Sequence, residues 1–226
     1  MRLLIAATLI ALAACTTGPR DRTDLRPSAD PSAVIATELA FARAAQEKGQ
    51  WTAFREYAAK DAVMFVPGPV NAQDWLKKQT DPPRAVAWQP HQVWSSCDGS
   101  LAVTKGAWQR PDGSIGYFTT VWQRQDDRSY KWVMDQGDTL DEPLEAPDFI
   151  DATVAECGVE PMPNTDISVP GWTYLSNSSR DGSLVWVTKV RPDCSRELHG
   201  SLQKGARNET FAQAEVVGEA GADCSR

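Results

Sequence analysis

From Ala40 to Gly68 the chain reads AFARAAQEKGQWTAFREYAAKDAVMFVPG, and the spacing of its apolar residues changes along the way. Val34, Ile35, Leu39 and Ala42 recur at helical spacing, with Asp30-Pro31 as cap and first turn. Gly49 ends that helix. Trp51, Phe54 and Ala58 form the apolar stripe of a second helix, and Asp61 precedes a short strand from Ala62 to Val66. Residues 71–78 predict a third, short helix with Trp75 and Leu76 facing inward, stopped by Pro82-Pro83. From Val86 the period becomes that of strands, over 86–94, 101–109, 115–124 and 130–137. The turns between them carry Asp98-Gly99, Asp112-Gly113 and Asp126-Asp127, and Asp-Gly between alternating strands is a strong hairpin signal. Helices first and a meander afterwards predict an α+β fold, with a curled antiparallel sheet packed on the N-terminal helices over 31–138.

Prolines at 143, 147, 161, 163 and 170 break the pattern, so 139–170 reads as a linker with one helical turn near 148–157. Strands at 184–190, 196–203 and 210–217 then predict a small antiparallel β-meander over 171–226. Three strands bury too little apolar surface to be secure alone, so this extension is expected to dock on the first unit or to use a disulfide.

Hydrophobic residues make up 42% of the 226, enough for a packed core. Net charge is -7 with no basic patch, which argues against a nucleic-acid partner. The surplus is local. Residues 31–138 hold 12 acidic and 12 basic side chains, whereas 139–226 hold 15 and 7, so that part is unsuited to lie on anionic lipid.

The first residues read as a targeting signal. Arg2 precedes an apolar run from Leu3 to Ala14 that is too short to span a bilayer. It ends in Leu12-Ala13-Ala14-Cys15, which looks like a bacterial lipobox. The resemblance implies removal of 1–14, acylation of Cys15 and a membrane partner through that lipid, with 15–30 as a tether. Thr16 follows the cysteine where an Asp would resemble an inner-membrane retention signal, so the periplasmic face of the outer membrane is expected.

In an oxidising envelope the four further cysteines, Cys97, Cys157, Cys194 and Cys224, suggest disulfides. Three pairings are possible, and Cys97–Cys157 with Cys194–Cys224 keeps each bond nearest its own segment; free buried thiols are the alternative. A metal site is not expected, because there is no Cys-x-x-Cys and the histidines are His91 and His199. No cofactor is expected, since neither a phosphate loop nor a Gly-x-Ser-x-Gly occurs.

Helix, Gly-x-Trp, helix, DAVMFVPG, short helix and four-stranded meander together resemble the nuclear transport factor 2-like superfamily, also called the ketosteroid-isomerase or SnoaL-like fold. The match covers about residues 32–138. It implies a cone with an apolar pocket, and often dimers through the open sheet face, which the C-terminal meander could cover here. The fold leaves function open, since members include enzymes, ligand binders and protein binders. In steroid isomerases of the fold the base is an aspartate just before the proline after the first strand, and a helix tyrosine holds the oxyanion. Those positions fall on Val66 and Ala42, which can neither accept a proton nor donate a hydrogen bond.

The remaining candidates for chemistry are Asp135, His91 and Tyr57. Asp135 is expected to cap a turn near Gly137-Asp138, His91 to sit at a strand start, and Tyr57 to pack in the core or donate a hydrogen bond at the pocket. Trp51, Phe54, Tyr57, Trp75, Trp108, Phe118 and Trp122 are candidate walls for a flat apolar ligand, with core packing as the alternative. The expectation is a cone that binds a small apolar molecule, an envelope protein partner or a second copy without catalysis. A dehydratase, isomerase or hydrolase of the same fold using Asp135, His91 or Tyr57 is the alternative, and a purely structural protein with a filled cone is the third.

Overall fold

The computed structural model describes residues 28–158, 169–205, 207–218 and 221–225. The expected leader at 1–14, lipidation at Cys15 and most of the tether lie outside the described residues.

Helix α1 spans Pro31–Lys48, and the Asp30 carboxylate accepts the Ala33 N–H at 3.1 Å. Its buried face is Val34, Glu38, Phe41, Ala44 and Ala45, whereas Leu39, expected inside, is 41% exposed. Gly49 takes φ 110°, open to glycine alone without strain, and turns the chain into α2, Gln50–Tyr57. Asp81 caps α2 from a distant loop by accepting from the Thr52 N–H (3.0 Å) and hydroxyl (2.6 Å). Ala58, expected on that helix, instead opens β1, Ala58–Val66. Strand β2, Gly68–Asn71, folds back on β1, and Asn71 caps α3, Ala72–Leu76.

Strands β3 (Ala87–Ser95), β4 (Leu101–Gln109), β5 (Ile115–Arg124) and β6 (Tyr130–Thr139) form the expected meander. Residues 151–154 do not form the expected helical turn. They form β7, which pairs parallel with the open edge of β3 and satisfies its backbone groups. The sheet order is β2-β1-β6-β5-β4-β3-β7. The helices pack on one face of it around Phe41, Leu76, Trp122 and Trp132. No described helix is long and apolar enough to cross a membrane.

The C-terminal part has one strand more than expected: β8 (Thr173–Ser178), β9 (Leu184–Val190), β10 (Arg196–Lys204) and β11 (Arg207–Val216), in the order β11-β10-β9-β8. Its apolar face lies on the other face of the first sheet. Leu101, Val103, Val121 and Met134 meet Leu184, Leu198, Leu202 and Phe211 there in one buried layer. Trp94 stacks on Phe211 with ring centroids 4.7 Å apart. The open sheet face of the cone is thus covered by the chain itself. The disulfides are Cys97–Cys157 and Cys194–Cys224, with Cα atoms 5.3 and 5.2 Å apart.

Two turn sequences of the first sheet recur in the second. Ser95-Ser96-Cys97-Asp98-Gly99-Ser100-Leu101 recurs as Ser178-Ser179-Arg180-Asp181-Gly182-Ser183-Leu184, and Arg110-Pro111-Asp112-Gly113-Ser114 as Arg191-Pro192-Asp193-Cys194-Ser195. The geometry repeats too. In the first pair, Ser96 and Ser179 donate their hydroxyls to Asp98 (2.7 Å) and Asp181 (2.6 Å). In the second, Gly113 and Cys194 both have positive φ, 90° and 65°. The first pair of turns meets head to head. Cys97 N–H donates to Ser183 Oγ and Arg180 N–H to Ser100 Oγ, both at 2.9 Å, and Asp98 N–H donates to Asp181 Oδ2 at 3.0 Å.

Because the layer between the sheets belongs to both, Leu198→Ala is expected to lower stability by about 2–5 kcal/mol in a single urea transition. Far-ultraviolet dichroism and tryptophan emission should give the same midpoint. A variant in which the two signals separate would show sheets that fold independently.

Candidate functional site

The last partnered residues between β1 and β6 are Val63 and Met134. Beyond them the two strands no longer pair, and Met64–Pro67 and Asp135–Thr139 border a cavity of about 590 Å³. Aromatic rings form part of its wall, beside polar side chains such as Gln50, Thr120 and Gln136. Phe41, Trp51 and Phe54 come from the helices, and Trp88, Trp108 and Phe118 from the sheet. Phe41 meets Phe54 edge to face at 4.8 Å and Trp88 at 4.7 Å, so this wall is braced by its own ring contacts. Trp108 is seated by Gly116, over which its ring leaves no room for a Cβ, and by a 2.8 Å hydrogen bond to the Tyr117 carbonyl. Val66 and Val217, 40% and 80% exposed, border the cavity beside the polar Arg110, Asp138 and Thr139.

Asp135 does not cap a turn. Strand β6 continues to Thr139, and register sets Asp135 opposite Thr120, whose hydroxyl donates to Oδ1 at 2.6 Å. Its half-buried carboxyl lines the cavity. Burial, with a smaller contribution from Glu38, pushes its pKa up to about 7, against the Thr120 hydrogen bond and the charge of Arg196. The expectation was that no proton acceptor stands at Val66, with Asp135 a remaining candidate. Val66 does line the mouth, but an acceptor reaches the cavity from a different strand.

Glu38 is the carboxylate that the sequence reading missed. It is fully buried on α1 and accepts from Thr104 Oγ1 (2.6 Å), Trp88 Nε1 (2.8 Å) and Trp122 Nε1 (2.9 Å). Burial raises its pKa, and the three hydrogen bonds oppose the rise. It lies behind the wall rather than in it. The signal was available, since Val34, Glu38, Phe41 and Ala45 are four, three and four apart, the spacing of one helix face.

The second sheet contributes Arg196. Its side chain is buried, and its guanidinium lies 4.3 Å from the Phe65 ring centroid. Nε donates to Gln136 Oε1 at 3.1 Å, while Gln136 Nε2 is buried with no acceptor. Arg110 lies over the Trp108 ring at 4.5 Å and also borders the cavity. Asp138 Oδ2 accepts the Val217 N–H at 3.1 Å and Oδ1 the Thr139 N–H at 2.8 Å.

Of the expected wall, Trp51, Phe54, Trp108 and Phe118 border the cavity. Tyr57, Trp75 and Trp122 pack in the core instead. Tyr57 stacks on Phe41 at 5.1 Å, Trp75 meets Trp51 at 5.2 Å, and Trp122 binds Glu38. His91 is the bulged residue between Pro90 and Gln92, half-buried, with its pKa lowered by burial, and it does not reach the cavity. Of the three candidates Asp135 alone borders the cavity, and Asp138 is a second carboxyl there. Among the described residues no cluster of three His, Cys, Asp or Glu side chains could hold a metal.

No family model and no curated protein matches the chain. Among solved structures it is similar to a ketosteroid isomerase candidate from Parabacteroides distasonis, at 14% identity and TM-score 0.41, over 51% of this chain and 97% of that one. It is also similar to an aromatic ring hydroxylase candidate from Novosphingobium aromaticivorans, at 15% identity and TM-score 0.37, over 51% and 92%.

The raised pKa of Asp135 has a stability consequence with a definite sign. The folded chain keeps a proton that the unfolded chain releases at about pH 4, so stability falls as pH rises from about 4 to about 7. Asp135→Asn keeps the acceptor for Thr120 and removes that loss. It should gain about 2–4 kcal/mol over the parent at pH 8 and little at pH 4, by urea unfolding. An unchanged difference between the two pH values would assign the titration elsewhere.

Proposed function

We propose that this chain is a lipid-anchored envelope protein whose cone binds a small, largely apolar molecule without transforming it. The observation that carries the reading is the partly aromatic cavity of about 590 Å³, a volume in the range of small-molecule sites. Binding without turnover is the reading that the isomerase positions favour, since they hold Val66 and Ala42 and neither His91 nor Tyr57 reaches the cavity; the charged groups that share it with Asp135 are Arg110, Asp138 and Arg196.

A second reading keeps one observation in its favour. A carboxyl with a pKa of about 7 is suited to general acid–base work, so an isomerase or dehydratase centred on Asp135 is the alternative. An envelope protein docked at the rim, in place of a small molecule, is a further use of the same opening.

Anchoring rests on Arg2, the apolar run 3–14 and Leu12-Ala13-Ala14-Cys15, with the periplasmic face of the outer membrane as the proposed location. Two disulfides fit an oxidising compartment.

Two experiments test this. Titration with the neutral probe 2-acetonaphthone should saturate one site per chain and raise the melting temperature, with the probe recovered unchanged. Absence of binding, or a conversion that disappears in Asp135→Asn with folding intact, would defeat it. For the anchor, Cys15→Ser should move the protein expressed in a Gram-negative host from the detergent phase to the aqueous phase on Triton X-114 separation. Equal partitioning of parent and variant would remove the lipid from the proposal.

A further inference from the structure

Asp135 is an acid without a counter-ion. Among the described residues its carboxyl makes one hydrogen bond, from the Thr120 hydroxyl to Oδ1, and no ion pair. Oδ2 accepts nothing there, and the side chain borders the cavity. A carboxylate so placed is stabilised by an opposite charge brought beside it.

The charges around it divide by face. Successive residues of a strand point to opposite sides, so Asp135 and Gln136 of β6 face different layers. Asp135 is on the side of the helices, where Glu38 of α1 adds a second acid. Gln136 is on the side of the second sheet. Arg196 of β10 is engaged there, with Gln136 and the Gly137 carbonyl among its acceptors, and its charge is the smallest of the influences on Asp135. Arg110 is remote in another direction. Trp108, over which it lies, pairs with Gly116, whereas Asp135 pairs with Thr120, about 14 Å further along β5. Arg110 is also exposed, and salt screens an exposed charge at that separation. Asp138 has both carboxylate oxygens on backbone N–H groups. Among the described residues α2, β1, β3, β5 and β11 bring no titratable side chain to the cavity.

The helix side of the cavity therefore offers acids and aromatic rings. Phe41, Trp51, Phe54 and Trp88 border it there, and the faces of such rings, like carboxylates, attract cations rather than anions. Resting on the ligand-binding reading above, we propose that the guest is a protonated amine on a flat apolar body, its ammonium at Asp135 and its rings among Phe54, Trp88 and Phe118. The ammonium is then the counter-ion of Asp135, and the rings supply most of the burial.

Binding is linked to a proton. The ammonium favours the ionised carboxyl, so the guest expels the proton that Asp135, with a pKa of about 7, holds at pH 6. An alkylamine keeps its own proton at pH 8. Affinity for the amine therefore rises from pH 6 to pH 8, by about tenfold for one group of that pKa.

The test is a calorimetric titration of the purified protein with three matched probes, 2-(2-naphthyl)ethylamine, 2-(2-naphthyl)ethanol and 2-naphthylacetate, at pH 6 and pH 8. At pH 8 the amine should bind about tenfold or more tighter than the alcohol, with the acetate weakest. At pH 6 the affinity for the amine should be about tenfold lower, while that for the alcohol stays level. Heats in two buffers of different ionisation enthalpy should show about one proton released per amine bound at pH 6. Asp135→Asn, which keeps the acceptor for Thr120, should bring amine and alcohol to within about twofold of each other and remove the pH dependence. Equal binding of amine and alcohol, tightest binding of the acetate, or an amine advantage that survives in Asp135→Asn overturns the amine-guest proposal and leaves the cavity a binding site. Failure of all three probes to bind defeats the binding reading as well.

Discussion

Each sheet of this chain has one face of Leu, Val and aromatic side chains, and most of the architecture follows from where those faces go. On the first sheet one face is taken by the helices. The other, with Leu101, Val103, Val121 and Met134, has the second sheet as its cover. The second sheet is in the same position, since a four-stranded sheet with an uncovered apolar face gains little from folding by itself. Full burial of one such side chain contributes about 1.5–3 kcal/mol, so loss of the layer would strand both sheets. The paired Asp-Gly-Ser turns fix the relative placement of the sheets with backbone-to-hydroxyl hydrogen bonds, and the Cys97–Cys157 bond sits beside one of them.

The placement then makes the cavity. The first sheet alone leaves a gap where β1 and β6 stop pairing, and the end of β10 lies across that gap. Two acids on the cone side, Glu38 buried and Asp135 half-buried, have different roles. Glu38 ties α1 to Trp88, Thr104 and Trp122, and with three donors around it its work is to hold the helix on the sheet. Asp135 has one such donor and faces the open space, so its proton is free to respond to what enters. Burial raises the pKa of both, and only one of them has a route to a guest.

Much of the frame was legible in the sequence because local rules produce it. Asp-Gly turns need positive φ, Asp30-Pro31 and Gly49 mark the bounds of α1, and β4 and β5 have the expected limits. Strand β1 starts four residues earlier than expected because Ala58-Ala59-Lys60-Asp61 carries helix-forming residues, and pairing overrides their propensity. Strand β7 hides in a proline-rich stretch and exists because β3 offers an edge. Asp135 was misread because its facing depends on which residue of β5 lies opposite, a fact of register rather than of neighbours in sequence. Arg196 is further removed, since nothing in β10 says which strand end it will meet. The repeat was fully visible in Ser-Ser-x-Asp-Gly-Ser-Leu and was missed because the two halves were read as separate units.

That repeat changes what substitution can do. In an assembly of two identical chains, any residue altered on one side of the contact is altered on the other. Here the two halves are encoded separately along one polypeptide, so Ile115 and Arg196 can differ although they follow equivalent turns. One half carries the helices and most of the hollow, and the other supplies a wall. The union is also indifferent to dilution: joining the halves on one chain gives an effective concentration set by linker length, so the wall stays in place where a two-chain version would come apart.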